Sequence, residues 1–176
     1  HFEHHILSII LAGDRSGTGK TTLTLALLAA LKKRERVARE HKSRNRTGKS
    51  FSVQSFKVGP DYIDPMFHSA VTGRPCYNLD PVLTSERYVQ QSFEKHTLGA
   101  DYAVVEGVMG LFDGATGTDD TASTAHIARL LDLPVVLAVD CSRMARSLAA
   151  LVQGYRNFDS RVQIAGVVLN RVGSDR

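Results

Sequence analysis

The chain predicts an α/β fold: a mostly parallel sheet with helices on both faces, three layers in all. Two observations carry this. Apolar runs of strand length alternate with segments of helical period, the pattern of βαβ units. Three of those runs, SIILAG, PVVLAVD and IAGVVLN, are nearly continuous Val, Ile, Leu and Ala, as in strands covered on both sides. At 176 residues the chain has the size of one domain, or at most two small ones.

The elements follow in order. A first strand is expected over Ile6–Leu11, then a helix over Lys20–Arg34, with Leu23, Leu27, Ala30 and Leu31 at helical spacing. Lys32–Phe51 reads as a charged, mobile linker. Ser52–Val58 is the second strand. Gly59–Thr84 is rich in Pro and Gly yet carries Tyr62, Met66, Phe67 and Tyr77, which suits an ordered surface loop near a ligand. A helix at Ser85–Glu94 and a strand at Tyr102–Glu106 come next. Gly107–Thr124, rich in Gly, Asp and Thr, is another long loop. It leads to a helix at Ser123–Leu131, a strand at Val135–Asp140, a helix at Ala145–Phe158 and a strand at Ile164–Asn170. Right-handed crossovers join parallel strands, and loops at strand C-termini line the binding crevice of such sheets.

Composition narrows the function. Apolar residues make up 43% and charged residues 23%, near the soluble average; this argues against a disordered tail or a fibre. No run of 18 apolar residues exists, so no membrane span is expected. The net charge of +4 is local: nine Lys/Arg against Glu35 and Glu40 lie between Lys32 and Lys49, leaving −3 for the remainder. A nucleic-acid domain would spread its positive charge over a folded face, so no nucleic-acid partner is expected. Cys76 and Cys141 show no metal-ligand spacing and fit a reducing cytoplasm. His1–His5 reads as an appended tag or the cut end of a longer chain.

The strongest chemical signal is Gly13-Asp14-Arg15-Ser16-Gly17-Thr18-Gly19-Lys20-Thr21-Thr22. It follows an apolar strand and opens a helix, the context a phosphate-binding P-loop requires. Small residues at Gly17 and Gly19 let the backbone bend so that successive N–H groups face phosphate oxygens, aided by the helix N-terminus. Lys20 would reach the β- and γ-phosphates of ATP, and Thr21 would ligate Mg²⁺. Asp14 stands where the usual pattern has its first Gly.

Three further strings carry polar groups at strand ends. In FKVGPDYIDP, Lys57 would neutralise charge on a transferring phosphoryl group; by chemistry alone, an ordinary strand-end Lys with Asp61 and Asp64 as turn formers fits equally. In YAVVEGVMGLFDG, Glu106 ends an apolar strand before Gly, like the acidic Mg²⁺ position of P-loop proteins. A flexible loop would bring Asp113 near the same point; a turn Asp before Gly is the alternative. In VVLNR, Asn170 offers one donor and one acceptor to an adenine edge, or is a cap residue. His126 reads as structural, Asp119 and Asp120 as solvated, and Asp140 as support behind the metal.

Together GxGKTT, FKVGPDYIDPMFH, TGRPCYNLDP, VVEGVMGLFDG, STAHIARLLDLPVVLAVDCSRMARS and IAGVVLNRVGSDR resemble the N-terminal synthetase domain of the cobyrinic and hydrogenobyrinic acid a,c-diamide synthase family. Dethiobiotin synthetase is a more distant relative with the same P-loop sheet. The resemblance covers residues 6–176 and implies a cytoplasmic, ATP- and Mg²⁺-dependent amide ligase of cobalamin biosynthesis. The a- and c-carboxylates of a corrinoid would become carboxamides through an acyl phosphate.

Residue by residue, it implies Ser16, Gly17, Thr18, Gly19, Lys20, Thr21, Thr22 and Asn170 at the nucleotide. It implies Lys20, Lys57, Glu106 and Asp113 in catalysis, and Asp61, Tyr62 and Asp64 at the substrate. Thr21, Glu106 and Asp64 would hold the metal. The chain stops at Arg176, so the glutaminase domain that would supply ammonia from glutamine in the full-length enzyme is expected to be absent. The segment Arg36–Lys49 resembles a disordered insertion. Pairing into a homodimer is left open. The alternative is a P-loop switch ATPase of the partition or maturation type, for which Arg15 stands near the extra lysine such proteins carry.

Overall fold

The computed structural model describes residues 6–44 and 52–173, with the backbone alone over 38–44. Six strands and five helices alternate: β1 (Leu7–Gly13), α1 (Lys20–Arg44), β2 (Val53–Val58), α2 (Asp64–Thr72), β3 (Tyr77–Leu79), α3 (Glu86–Thr97), β4 (Tyr102–Glu106), α4 (Thr124–Leu130), β5 (Val135–Asp140), α5 (Ser147–Phe158) and β6 (Ile164–Asn170). Strand order in the sheet is β3-β2-β4-β1-β5-β6. The chain divides into two compact units. Of the described residues, one unit holds those up to Ser8 and those within Thr21–Glu106; the other holds Ile9–Lys20 and those from Gly107 to Gly173.

In the first unit β2 lies between β3 and β4, parallel to both. All six residues of β2 are buried, so both faces of this strand are covered, as the three-layer expectation requires. Phe56 is fully buried, with its ring 5.0 Å from that of Phe93 on α3. Phe56→Ala should cost about 3–5 kcal/mol, the transfer and cavity loss of a large core side chain, read as a lower urea midpoint. Ser85 caps α3 by accepting a hydrogen bond from Tyr88 N, the local reason for the helix start.

Three features of this unit differ from expectation. First, α1 runs ten residues past Arg34, to Arg44, where a linker was expected. No Pro or Gly intervenes before Gly48, and Lys, Arg and Glu are good helix formers. Lys32 pairs with the buried Glu35 at 2.9 Å. The rest of the supposed insertion, like His1–His5, lies outside the described residues. Second, the inner stripe of α1 includes Thr24, Leu28 and Glu35, whereas Ala30 is exposed. Third, the expected loop Gly59–Thr84 contains α2 and β3. Pro65 opens α2, where a missing N–H costs nothing. Asp61 Oδ1 accepts from Ile63 N and Asp64 N. Gly73, at φ 69°, closes the helix through a bond to Ser69 O, a left-handed cap that favours glycine.

In the second unit β5 pairs in parallel with β1 on one side and β6 on the other. Five of six β5 residues are buried. In contrast, none of the seven residues of β6 is buried, although its apolar run had suggested cover on both faces. It ends the strand order, and Val167 and Leu169 are exposed. Ser123 caps α4 by accepting from His126 N. His126 Nδ1 accepts from Ala122 N at 3.0 Å, a turn-closing role consistent with a structural histidine. Asp120 is not simply solvated: it accepts from Arg129 at 2.6 Å.

Candidate functional site

In the second unit, β1 ends at Gly13 and the chain turns through Asp14–Gly19 into the helix start at Lys20. Gly17 and Gly19 have φ of 78° and 96°, the left-handed region that favours glycine. The strand, loop and helix are intact despite Asp14. Ser16 and Gly17 are exposed; Thr18 is buried, with no partner for its Oγ1. Lys20 is only 8% exposed. Its Nζ donates to Met109 O at 2.7 Å and to Arg15 O at 3.2 Å, so the ammonium is held among main-chain oxygens beside the loop.

Two contacts brace this loop from β6 and α5. Asn170 Nδ2 donates to Thr18 O at 2.7 Å, and Asn170 Oδ1 accepts from Arg171 N. Tyr155 Oη donates to Asp14 O at 2.5 Å. A Cβ at Gly19 would lie 2.5 Å from Asn170 Nδ2. Gly19→Ala therefore meets both a clash and a disfavoured φ, worth roughly 1–3 kcal/mol of local strain. Nucleotide affinity should fall about tenfold or more; unchanged affinity by calorimetry would mean the loop plays no part in binding.

The loop after β4 is not the flexible one expected. Leu111 N donates to Gly13 O, Val108 N donates to Thr124 Oγ1, and Asp113 Oδ2 accepts from Gly110 N at 2.9 Å. Leu111 is fully buried. Asp140, at the end of β5, accepts from Arg171 at 2.8 Å and from Ser142 N at 2.9 Å. The Ser142 bonds lead in holding its carboxyl well below the ordinary range, with Arg171 adding to them.

The first unit gathers a different set. Register places Lys57 opposite Glu106 and beside Asn78. Lys57 is 3% exposed and Glu106 fully buried. Lys57 Nζ donates to Asp64 Oδ2 at 2.7 Å and to Glu106 Oε1 at 3.1 Å, with Asp61 Oδ2 at 3.7 Å. Thr21 Oγ1 donates to Glu106 Oε1 at 2.6 Å, and Asp64 Oδ2 lies 3.3 Å away. His68 Nε2 meets Glu106 Oε2 at 2.5 Å. Burial alone would lower the Lys57 pKa, but attraction to Glu106 and bonds to Asp64 and Glu106 leave it raised. Burial alone would raise that of Glu106; the His68 bond, the Lys57 charge and the Thr21 bond leave it lowered. Both groups are thus held charged, as a buried pair must be.

A magnesium ion fits this donor set. The Thr21 hydroxyl and the Asp64 and Glu106 carboxylates supply hard oxygens, and those carboxylate oxygens already converge on a cation, Lys57. Among the described residues no group of three His, Cys, Asp or Glu would hold a metal alone. Magnesium commonly takes one or two carboxylates and completes its shell with substrate phosphates and water.

The structure therefore brings together Thr21, Lys57, Asp61, Asp64 and Glu106 in one unit, and Ser16, Gly17, Thr18, Gly19, Lys20, Asp113 and Asn170 belong to the other. Thr22 is exposed on α1, and Tyr62 is 80% exposed beyond Asp61. Sequence reasoning missed His68. Its signal was the spacing Asp64-x-x-x-His68 after Pro65, which puts both side chains on one helix face. It also missed the main-chain role of Met109, which no side-chain pattern announces.

A parallel α/β sheet with a glycine-bent loop between its first strand and a Lys-Thr helix start defines, as a class, a P-loop nucleotide-binding domain. Comparison narrows this. The family described as CobQ/CobB/MinD/ParA nucleotide binding domain (CbiA) matches residues 9–176, and the chain belongs to it. It is 64% identical to a cobyrinate a,c-diamide synthase of Synechococcus sp. over 97% of this chain and 34% of that protein. It is 47% identical to a hydrogenobyrinate a,c-diamide synthase of Streptomyces coelicolor over 96% of this chain and 32% of that protein. The chain thus spans about a third of the length of these relatives. A chloroplast FtsY structure from Physcomitrella patens shares the fold, with a TM-score of 0.56 and 14% identity over 94% of this chain and 50% of that one. Among the described residues no helix is long and apolar enough to cross a membrane.

Proposed function

We propose that this domain uses ATP and magnesium to activate the a- and c-acetate carboxylates of cobyrinic or hydrogenobyrinic acid for amidation, in the cytoplasm and within a longer chain that supplies ammonia from glutamine. The observation that carries the reading is the buried Lys57 ammonium shared by Asp64 and Glu106, beside Thr21. Such a centre neutralises phosphoryl charge and offers no enzyme nucleophile, which suits direct attack by substrate. The relatives' names support the substrate class.

In this reading the main-chain N–H groups of residues 16–20, with Thr22 at the loop's end, orient the triphosphate, and Lys20 leaves its carbonyl partners for phosphate oxygens. Asn170 would turn its amide toward adenine. Bound magnesium, held by Thr21, Glu106 and Asp64, would neutralise charge on the phosphate oxygens. A substrate carboxylate oxygen attacks the γ-phosphorus and the bond to the β-phosphate oxygen breaks, giving an acyl phosphate and ADP. Ammonia then attacks the acyl carbon, phosphate departs with the bonding pair, and the ammonium loses a proton. Lys57 stabilises the transferring group. Asp61, Tyr62 and Asp64 present the substrate, and Asp113, which accepts from Gly110 N, is the remaining catalytic group of this reading. Catalysis is positioning and charge neutralisation.

The test is turnover of the full-length protein with cobyrinate, glutamine and magnesium ATP, followed as ADP release and by mass spectrometry of the diamide. Corrinoid-dependent ADP release with diamide formation is expected. Stimulation by a protein or by DNA, with none from the corrinoid, would instead identify a switch ATPase.

A further inference from the structure

The first unit contains a buried hydrogen-bond chain that the proposed reaction does not use. Cys76 Sγ lies 3.3 Å from His68 Nδ1, and His68 Nε2 lies 2.5 Å from Glu106 Oε2. Glu106 Oε1 then meets Thr21 and Lys57. His68 and Glu106 are both fully buried. The two carboxylate oxygens are therefore divided: Oε2 faces the imidazole, and Oε1 faces the groups expected to meet metal and phosphate.

We propose that His68 is a positioning residue that fixes the rotation of the Glu106 carboxylate, so that Oε1 is presented for metal binding, with Cys76 setting the imidazole tautomer. This rests on the metal role assigned to Glu106 above.

The geometry explains how. A carboxylate on a two-carbon stem rotates about its last bond unless both oxygens are held. His68 holds the far oxygen. It comes from α2, one turn beyond Asp64, so one short helix delivers a direct oxygen donor and an indirect clamp. The tautomer follows from Cys76. Burial pushes its thiol up to about 12, so the S–H is retained and can donate to Nδ1. Nε2 then carries the hydrogen and donates to Glu106. Cys76 is itself placed from α2, its N donating to Ser69 Oγ at 3.1 Å. Partners behind a metal-binding group typically contribute 10–100-fold in metal affinity.

The test uses the full-length protein, with Mn²⁺ as probe and a non-hydrolysable ATP analogue, free Mn²⁺ being read by electron paramagnetic resonance. His68→Phe should weaken Mn²⁺ binding to the nucleotide-loaded protein about 10–100-fold, with affinity for the nucleotide in chelator unchanged. His68→Gln, whose amide can donate from nearly the Nε2 position, should recover most of the loss. Cys76→Ala should give a smaller loss and Cys76→Ser none. Equal losses for the Phe and Gln variants, no loss for either, or a parallel loss of metal-free nucleotide affinity would each overturn the proposal. If His68→Phe does not fold, the Gln and Cys76 variants still decide it: the proposal stands only if Cys76→Ala weakens Mn²⁺ binding and His68→Gln and Cys76→Ser do not. Failure of the wild-type protein to bind Mn²⁺ with nucleotide would instead sink the proposed function.

Discussion

Lys20→Ala is expected to lower ATP-dependent turnover of the full-length protein by about 10²–10³-fold, the usual cost of removing one group aimed at transition-state charge. The side chain is 8% exposed, and its ammonium sits on the carbonyls of Arg15 and Met109. Those two acceptors are neutral, so moving to a phosphate oxygen replaces ion–dipole bonds with attraction between opposite charges. The fold should survive, because the carbonyls of Arg15 and Met109 can be hydrated in the space the side chain leaves. Isothermal titration with magnesium ATP and a thermal melt separate the two effects. Wild-type affinity in a folded Lys20→Ala protein would remove the phosphate loop from the mechanism. Cys141→Ala is the matching control: this buried thiol donates only to Val139 O at 3.5 Å, and nucleotide binding should not change.

Glu106→Gln should have the second largest effect, with turnover reduced on the order of 10²-fold or more. The substitution keeps shape and removes charge from a fully buried group. Lys57 keeps Asp64 at 2.7 Å, so the ammonium is not left uncompensated. Glu106→Ala is the harsher variant; it also takes partners from His68 and Thr21. Breaking a buried ion pair in this way costs roughly 3–5 kcal/mol. The Gln variant should therefore lose metal-dependent rate with a smaller fall in melting temperature than the Ala variant: it keeps the volume, but its NH2 faces a donor where an oxygen accepted from His68 or from Thr21 and Lys57. Wild-type turnover in Glu106→Gln would mean that the carboxylate serves the fold alone.

Much of the fold was legible. The continuous apolar runs became β1, β5 and β6, and the helices expected from Ser85 and Ser123 start just after those residues, which the structure shows to be their caps. The reading failed where local signals competed. The Pro and Gly content of Gly59–Thr84 suggests a loop, yet Pro65 and Gly73 are the start and stop of α2. The charge of Lys32–Phe51 suggests a mobile linker, yet Lys, Arg and Glu favour helix, and α1 runs on to Arg44. IAGVVLN has the composition of a doubly covered strand, yet none of its residues is buried; composition reports apolarity, not what packs on the strand.

By itself the sequence determined the class and the phosphate loop. That loop is made of consecutive residues, so its glycine bends and the placing of Lys20 and Thr21 at the helix start follow from local sequence. Tertiary structure alone decided that Lys57 and Glu106, 49 residues apart, stand opposite each other, that His68 clamps Glu106, and that Asn170 braces Thr18 O. The reason is strand register: a slip of one residue would send Lys57 to the other face of the sheet, and nothing local to either strand fixes that alignment.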